Sequence, residues 1–297
     1  MAPSGRDPTG LSAFGALDPG AVAALRLDRT REAYHNHDLV TALLEAEELL
    51  EDDPDNVEAL EVLGDTELEL GHGREADLVF SHLLDLQPGE PVYLTGQAIA
   101  RFLHADFEGA VESGLAALEA LPDLTEAHAY LGLSFERMGR LVEAEEHLQR
   151  AAELDPDGWS PPPAVEDIPW KGLLEAAMAM VPPELQTFYD RVPIVWQHLP
   201  DPRVLRAVDP PISPLVLALY EGTPTGAGVD NGLRPRTMRI FQGNARRFAR
   251  DMKRLTEDLA HALGAEAADW LGVSLPDTPF DDDPADDKPA PAEPETQ

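Results

Sequence analysis

Cysteine is absent from all 297 residues. That removes disulfides, thiolate zinc sites and thiol nucleophiles from the chemistry open to this chain. Basic residues are scarce: 22 Lys and Arg stand against 56 Asp and Glu, a formal net charge of -34. Such a surface repels nucleic-acid backbones, so no nucleic-acid partner is expected. No apolar run approaches the about 18 residues that a membrane span needs, so no membrane partner is expected either. The opening stretch MAPSGRDPTGLSAFGALDPG lacks a basic segment followed by an apolar run. It does not read as a secretory signal, and the expected location is cytoplasmic. Two catalytic motifs are missing as well: no Ser stands in a G-x-S-x-G elbow, and the glycines of EGTPTGAGVDNGLRP do not have the spacing of a phosphate-cradling loop. What remains is a chain with 43% hydrophobic residues, enough for a real core, and a length that suits about two domains of ~150 residues each.

The first half is periodic. Pro54, Pro88, Pro122 and Pro156 follow one another at intervals of 34 residues, and so do Ala42, Ala76, Ala110 and Ala144. Further matches link the second and fourth units: Leu63-Gly64 with Leu131-Gly132, Gly71 with Gly139, and the large apolar Phe80 with Leu148. A small Ala lets two antiparallel helices approach, Gly ends the first helix and Pro stops the second. The period and these residue types resemble the tetratricopeptide repeat, with about four units near 23–56, 57–90, 91–124 and 125–158. Thr30 replaces the usual Gly of the first unit, and Gln97-Ala98 replaces Leu-Gly in the third. The resemblance implies an α-helical solenoid over 21–158 whose inner face is made by the first helix of each pair. Carried over, the family's groove positions are Glu58, Glu61, Asp65 and Glu69 in the second unit. In the third they are Val92, Ile99 and Phe102, and in the first Arg31 and Tyr34. An acidic wall beside an apolar shelf implies a protein or peptide partner that is basic or partly apolar. Too few Lys and Arg stand there to hold a partner's terminal carboxylate. The same acids also suit a solvated helix face.

Residues 1–20 read as a flexible N-terminus, DGWSPPPAVED leads into a Pro-rich linker over 159–167, and the acidic, Pro-rich 275–297 reads as a disordered tail. Between linker and tail the patterning changes. WKGLLEAAMAMV reads as an amphipathic helix carrying Trp170, Leu173, Leu174, Ala177 and Met178 on one side, stopped by Pro182 and Pro183. VPIVWQ and TMRIF suit strands. ISPLVLALYEGTP leads into a Gly-rich loop over 222–232, and a last helix is expected over roughly 243–263, with Phe248, Met252, Leu255 and Leu259 buried. The order helix, strand, loop, strand, helix describes a small α+β unit.

Four segments of this unit, MVPPELQTF, LALYEGTP, RPRTMRIFQGNARRF and EDLAHALG, resemble the minimal zincin-like metallopeptidase domain over 168–274. The family's last helix carries H-E-x-x-H, which puts two zinc-binding His on one helix face with a Glu to polarise the bound water. Here TEDLAHALG places Glu257 at the first His, Asp258 at the base and His261 at the second His. Glu266 is the nearest acid to fill the family's further ligand position, with Asp269 as the alternative register. Asp is one methylene shorter than Glu, and a base about 1 Å out of place costs on the order of 100-fold in rate. Lys253 and Arg254 stand four residues before Glu257 and Asp258, the spacing of helix-surface ion pairs.

Two readings follow. In the first, the chain is a protein–protein interaction protein whose zincin-like domain is a non-catalytic pseudoenzyme with no cofactor. In the second, it is a zinc-dependent metallopeptidase in which Glu257, His261 and Glu266 hold the metal and Asp258 is the base. Charge adds one expectation common to both. The repeats at 21–156 carry 31 acids against eight Lys and Arg, while 234–254 carries eight basic residues and one acid. The basic segment is therefore expected to dock on the acidic repeats, or else on a partner bound there.

Overall fold

The computed structural model describes residues 19–190, 192–221, 237–249 and 251–274. The N-terminus up to residue 18, the Gly-rich loop and the acidic tail lie outside them, as does the side chain of Phe248. The chain divides into two compact units, Met1–Ser160 with Pro202–Pro214, and Pro161–Asp201 with Leu215–Gln297.

The first unit holds four helix pairs: α1 (Pro19–His35) with α2 (Leu39–Asp52), α3 (Val57–Glu69) with α4 (Gly73–Leu86), α5 (Pro91–Leu103) with α6 (Phe107–Ala120), and α7 (Thr125–Arg137) with α8 (Leu141–Leu154). This is the helical solenoid expected from the sequence. The alanine ladder is its tight seam: Ala42, Ala76, Ala110 and Ala144 are all buried. Phe80 fills a gap between two glycines, since a Cβ on Gly64 or Gly96 would meet its ring at 3.0 or 2.3 Å. Gly71 and Gly139 end α3 and α7 with φ of 77° and 75°. One period away, His37 and Ala105 take the same left-handed turn at 57° and 63°. Side-chain oxygens of Asp38, Asn56 and Asp106 cap α2, α3 and α6 by accepting backbone N–H groups.

The third unit departs from the apolar pattern because a buried polar network replaces it. Gln97, in the slot usually filled by Leu, donates to Ser81 Oγ at 3.0 Å and accepts from Ser113 Oγ at 2.8 Å. Arg101 donates to the same Ser113 and, at 3.2 Å, to Asp77. Burial opposes the Asp77 charge, yet His104 and Arg101 together hold its carboxyl below the usual range. Gln97, Ser113 and Arg101 each find hydrogen-bond partners there, so burying them does not carry the penalty of an orphaned polar group.

In the second unit, α9 (Trp170–Met180) is followed by α10 (Pro183–Tyr189), β1 (Ile194–Gln197), β2 (Ala218–Glu221), β3 (Thr237–Phe241), α12 (Gln242–Phe248) and α13 (Met252–Leu271). The short α11 (Pro202–Leu205) between β1 and β2 belongs to the first unit. The sheet order is β1-β3-β2, with β1 parallel and β2 antiparallel to β3. Met238 and Ile240 of β3 face Leu255, Leu259 and Leu263 of α13 in one core, with Leu173 and Ala177 of α9.

Four local readings need correction. Pro183 starts a helix rather than only ending one, because its fixed φ suits a first helical turn. LALYEGTP contains a strand, β2, whose four residues are too short for periodicity to mark. The last helix is two helices: Asp251 breaks the run by accepting from the N–H groups of Lys253 and Arg254, both at 3.0 Å. And α13 runs through Gly264 to Leu271, where Gly272 caps it at φ 66°. The linker is also engaged: Trp159 packs edge-on against Tyr130, and the carbonyl of Pro163 accepts from Arg246.

Candidate functional site

Two places collect the sequence-selected residues. The first is the face made by α1, α3, α5 and α7, the first helices of each pair, which contact one another in succession. On α3, Glu61, Asp65 and Glu69 follow at intervals of four, so their carboxyls line one stripe. Neighbouring helices hold its two ends. Tyr34 of α1 donates to Glu69 Oε1 at 2.8 Å, and Tyr93 of α5 donates to Glu61 Oε1 at 2.6 Å. Arg31 pairs with Glu58 at 3.2 Å. Burial and the carboxylate bonds raise both tyrosine hydroxyls, keeping them protonated donors. Asp65 is solvent-accessible, yet protein surrounds it closely enough that burial, helped by Glu61 and Glu69, pushes its carboxyl up to about 6. Crowding of this kind is relieved by a cation.

The apolar part of the stripe is smaller than expected. Val92 is exposed and Ile99 half-buried. Phe102 is fully buried against Tyr130 and Phe107, with ring centroids 5.4 and 5.7 Å away. It is a core residue, because the neighbouring α7 supplies an aromatic ring that closes over it. Tyr93 was not legible as a site residue. The repeat puts Ala59 and Ala127 at its equivalent positions, so the ladder carries no signal there.

The second place is α13. Glu257 lies 3.6 Å from Lys253 Nζ. Asp258, next to it, is raised above the usual carboxylate range by burial, against the pull of Arg254. His261 is exposed. Glu257 and His261 share a helix face, but Glu266 stands nine residues beyond Glu257 on the same unbroken helix. At 3.6 residues per turn that is about 180° round and ~13.5 Å along the axis. Glu266 Oε2 instead accepts from Tyr220 N of β2 at 3.0 Å, and Asp269 Oδ2 accepts from the Tyr220 hydroxyl at 2.8 Å. Burial pushes Glu266 up to about 7, with Asp269 adding to it against the Tyr220 N–H. Among the described residues no three His, Asp or Glu side chains are placed to hold one metal ion. A zinc site needs at least three protein donors around one point, and this set does not supply them.

Comparison with known families agrees with both halves. Residues 125–157 match the tetratricopeptide repeat model, and residues 189–279 match the model described as zincin-like metallopeptidase. The chain carries a tetratricopeptide repeat and a zincin-like domain. Solved structures similar to it include a crystal structure of MamA, with 22% identity over 43% of this chain and 74% of that one at a TM-score of 0.40. Another is MamA residues 41 to the end from Desulfovibrio magneticus RS-1, with 18% identity over 45% and 75% at a TM-score of 0.42. A MamA AMB-1 crystal form shows 26% identity over 45% and 78% at a TM-score of 0.41. No curated protein matches the chain. The repeats support a protein-interaction role. No described helix is long and apolar enough to cross a membrane.

Proposed function

We propose that the repeat array binds a basic, partly apolar segment of a partner protein on the Glu58–Glu61–Asp65–Glu69 stripe, and that the zincin-like domain is a non-catalytic scaffold. The observation that supports the first half is the crowded Asp65, flanked by two acids whose outer oxygens are already held by Tyr34 and Tyr93. An incoming Lys or Arg would meet a fixed line of negative charge, with Val92 and Ile99 beside it for an aliphatic stem. The path of α13 supports the second half, since it turns Glu266 away from Glu257 and His261. On this reading Asp258 has no metal-bound water to act on.

The intramolecular version, with 234–254 as the basic segment, competes with bonds those side chains already make within their own unit. Arg239 donates to Gln197 and Glu221, Arg246 to the Pro163 carbonyl, and Lys253 pairs with Glu257. That competition favours a separate partner chain.

Titrating the full chain with a fluorescent Lys/Arg-rich peptide tests the binding half. Neutralising Glu61, Asp65 and Glu69 together to their amides should weaken binding about tenfold, the sum of three exposed pairs at ~0.5 kcal/mol each. Binding should also weaken as pH falls through about 6, where Asp65 takes up its proton. An affinity indifferent to the triple change would overturn this half. For the scaffold half, metal analysis of protein purified without chelator decides. One equivalent of zinc, lost in His261→Ala and accompanied by peptide cleavage, would establish the peptidase reading instead.

A further inference from the structure

The stretch Pro202–Pro214 leaves the sequence of the zincin-like domain between β1 and β2 and packs as part of the repeat unit. It runs past three successive repeats, touching each at or next to the turn between its two helices. Asp209 Oδ1 accepts from Arg74 Nη1, at the start of α4, at 2.6 Å. Arg206 Nε donates to the Ala105 carbonyl at 2.8 Å, in the left-handed turn between α5 and α6. The Arg206 guanidinium lies 5.6 Å from the Phe107 ring centroid and 3.4 Å from Glu108. The Pro214 carbonyl accepts from Arg137 Nη2, at the end of α7, at 3.1 Å.

The seating is peptide-like rather than core-like. Leu205 and Pro214 are buried at its two ends, while residues 206–210 between them are all exposed. A cleft of about 470 Å³, bounded by Arg74, His104, Asp106, Val208 and Pro211, remains between the stretch and the α5–α6 turn. Between these two buried anchors, an exposed middle held by the exposed Arg74–Asp209 and Arg206–Glu108 ion pairs marks a segment that opens locally at lower cost than the repeat helices. We propose that Pro202–Pro214 is a displaceable self-ligand of the repeats. The surface it covers then takes partner segments of the same chemistry: an apolar residue, an Arg directly after it, and an acid three residues on, as in Leu205, Arg206 and Asp209. This surface is separate from the acidic stripe, so failure of one reading leaves the other standing.

A tethered copy competes at an effective concentration of the order of millimolar, so the intact chain should resist the same peptide added in trans at micromolar levels. The test uses a fluorescein-labelled peptide of residues 200–216 and the full-length chain. Arg206→Glu with Asp209→Ala releases the internal copy and should raise affinity for the peptide at least about tenfold over the unmodified chain. Adding Arg74→Glu to that variant should remove the gain. Equal binding by both chains, or a gain that survives Arg74→Glu, would overturn the proposal. Amide hydrogen exchange on the unmodified chain gives an answer that does not depend on the variants folding. Residues 202–214 should exchange at least about tenfold faster than α7 and α8, and faster again with excess peptide. Protection equal to that of those helices would show a fixed part of the core and refute displacement.

Discussion

Replacing Glu266 with Gln isolates the cost of ionising one carboxyl in the second unit. Glu266 caps the outer N–H of β2 through Tyr220, and its carboxyl is pushed from an ordinary 4.5 up to about 7. Between those two values the folded chain binds more protons than the unfolded one, so stability falls as pH rises through that window. Below pH ~4.5 the carboxyl is neutral in both states and contributes no pH dependence; above ~7 the full penalty is present. At about 1.36 kcal/mol per pH unit the penalty reaches ~3 kcal/mol, and partial contact with water reduces it to about 1–2. Gln keeps an oxygen for the Tyr220 N–H and never ionises. The variant should therefore match the original chain near pH 5 and exceed it by about 1–2 kcal/mol at pH 8. Urea unfolding followed by tryptophan fluorescence measures this, since Trp170, Trp196 and Trp270 all lie in the second unit and Trp270 packs against Tyr220. The same stability difference at both pH values, or a less stable variant at pH 8, would refute the account of Glu266.

The repeats offer three further tests, each read by thermal or urea unfolding. Gly96→Ala should cost about 1–3 kcal/mol, because the new methyl would lie 2.3 Å from the Phe80 ring. Enlarging Ala76, Ala110 or Ala144 to Leu should overpack the helix pair by a similar ~1–3 kcal/mol; unchanged stability in all three would contradict the register. His37→Gly should stabilise by up to about 1 kcal/mol, since the exposed ring forfeits little when the left-handed strain of about 1–2 kcal/mol is relieved. Ala105→Gly relieves the same strain but loses a buried methyl worth ~0.8 kcal/mol, so it should be close to neutral. Equal gains at the two sites would show that the methyl is not packed.

The repeat half was legible because its signals are local and recur. Each 34-residue step carries its own Ala for the seam, its own turn residue and its own Pro stop, so four weak signals add up. Even Gln97, which breaks the pattern, marked a real departure; only the neighbouring helices reveal Ser81 and Ser113 as its partners. Burial of Phe102 depends on Tyr130, one repeat later, and the hydroxyl of Tyr93 on Glu61, one repeat earlier. No property of residues 93 or 102 by themselves encodes those contacts. In the second half, sequence identified the helix bearing Glu257, Asp258 and His261 but not its length. Whether Gly264 ends a helix or lies inside one is settled by what packs around it: Leu263 and Ala267 are buried in the core that also holds Met238 and Ile240, and β2 offers Tyr220 to Glu266 and Asp269. That packing carries α13 to Leu271 and turns Glu266 away from His261. Residue types thus set which side chains were available near the altered motif. Tertiary packing set their direction, because a helix fixes the angle between two positions only once its ends are fixed.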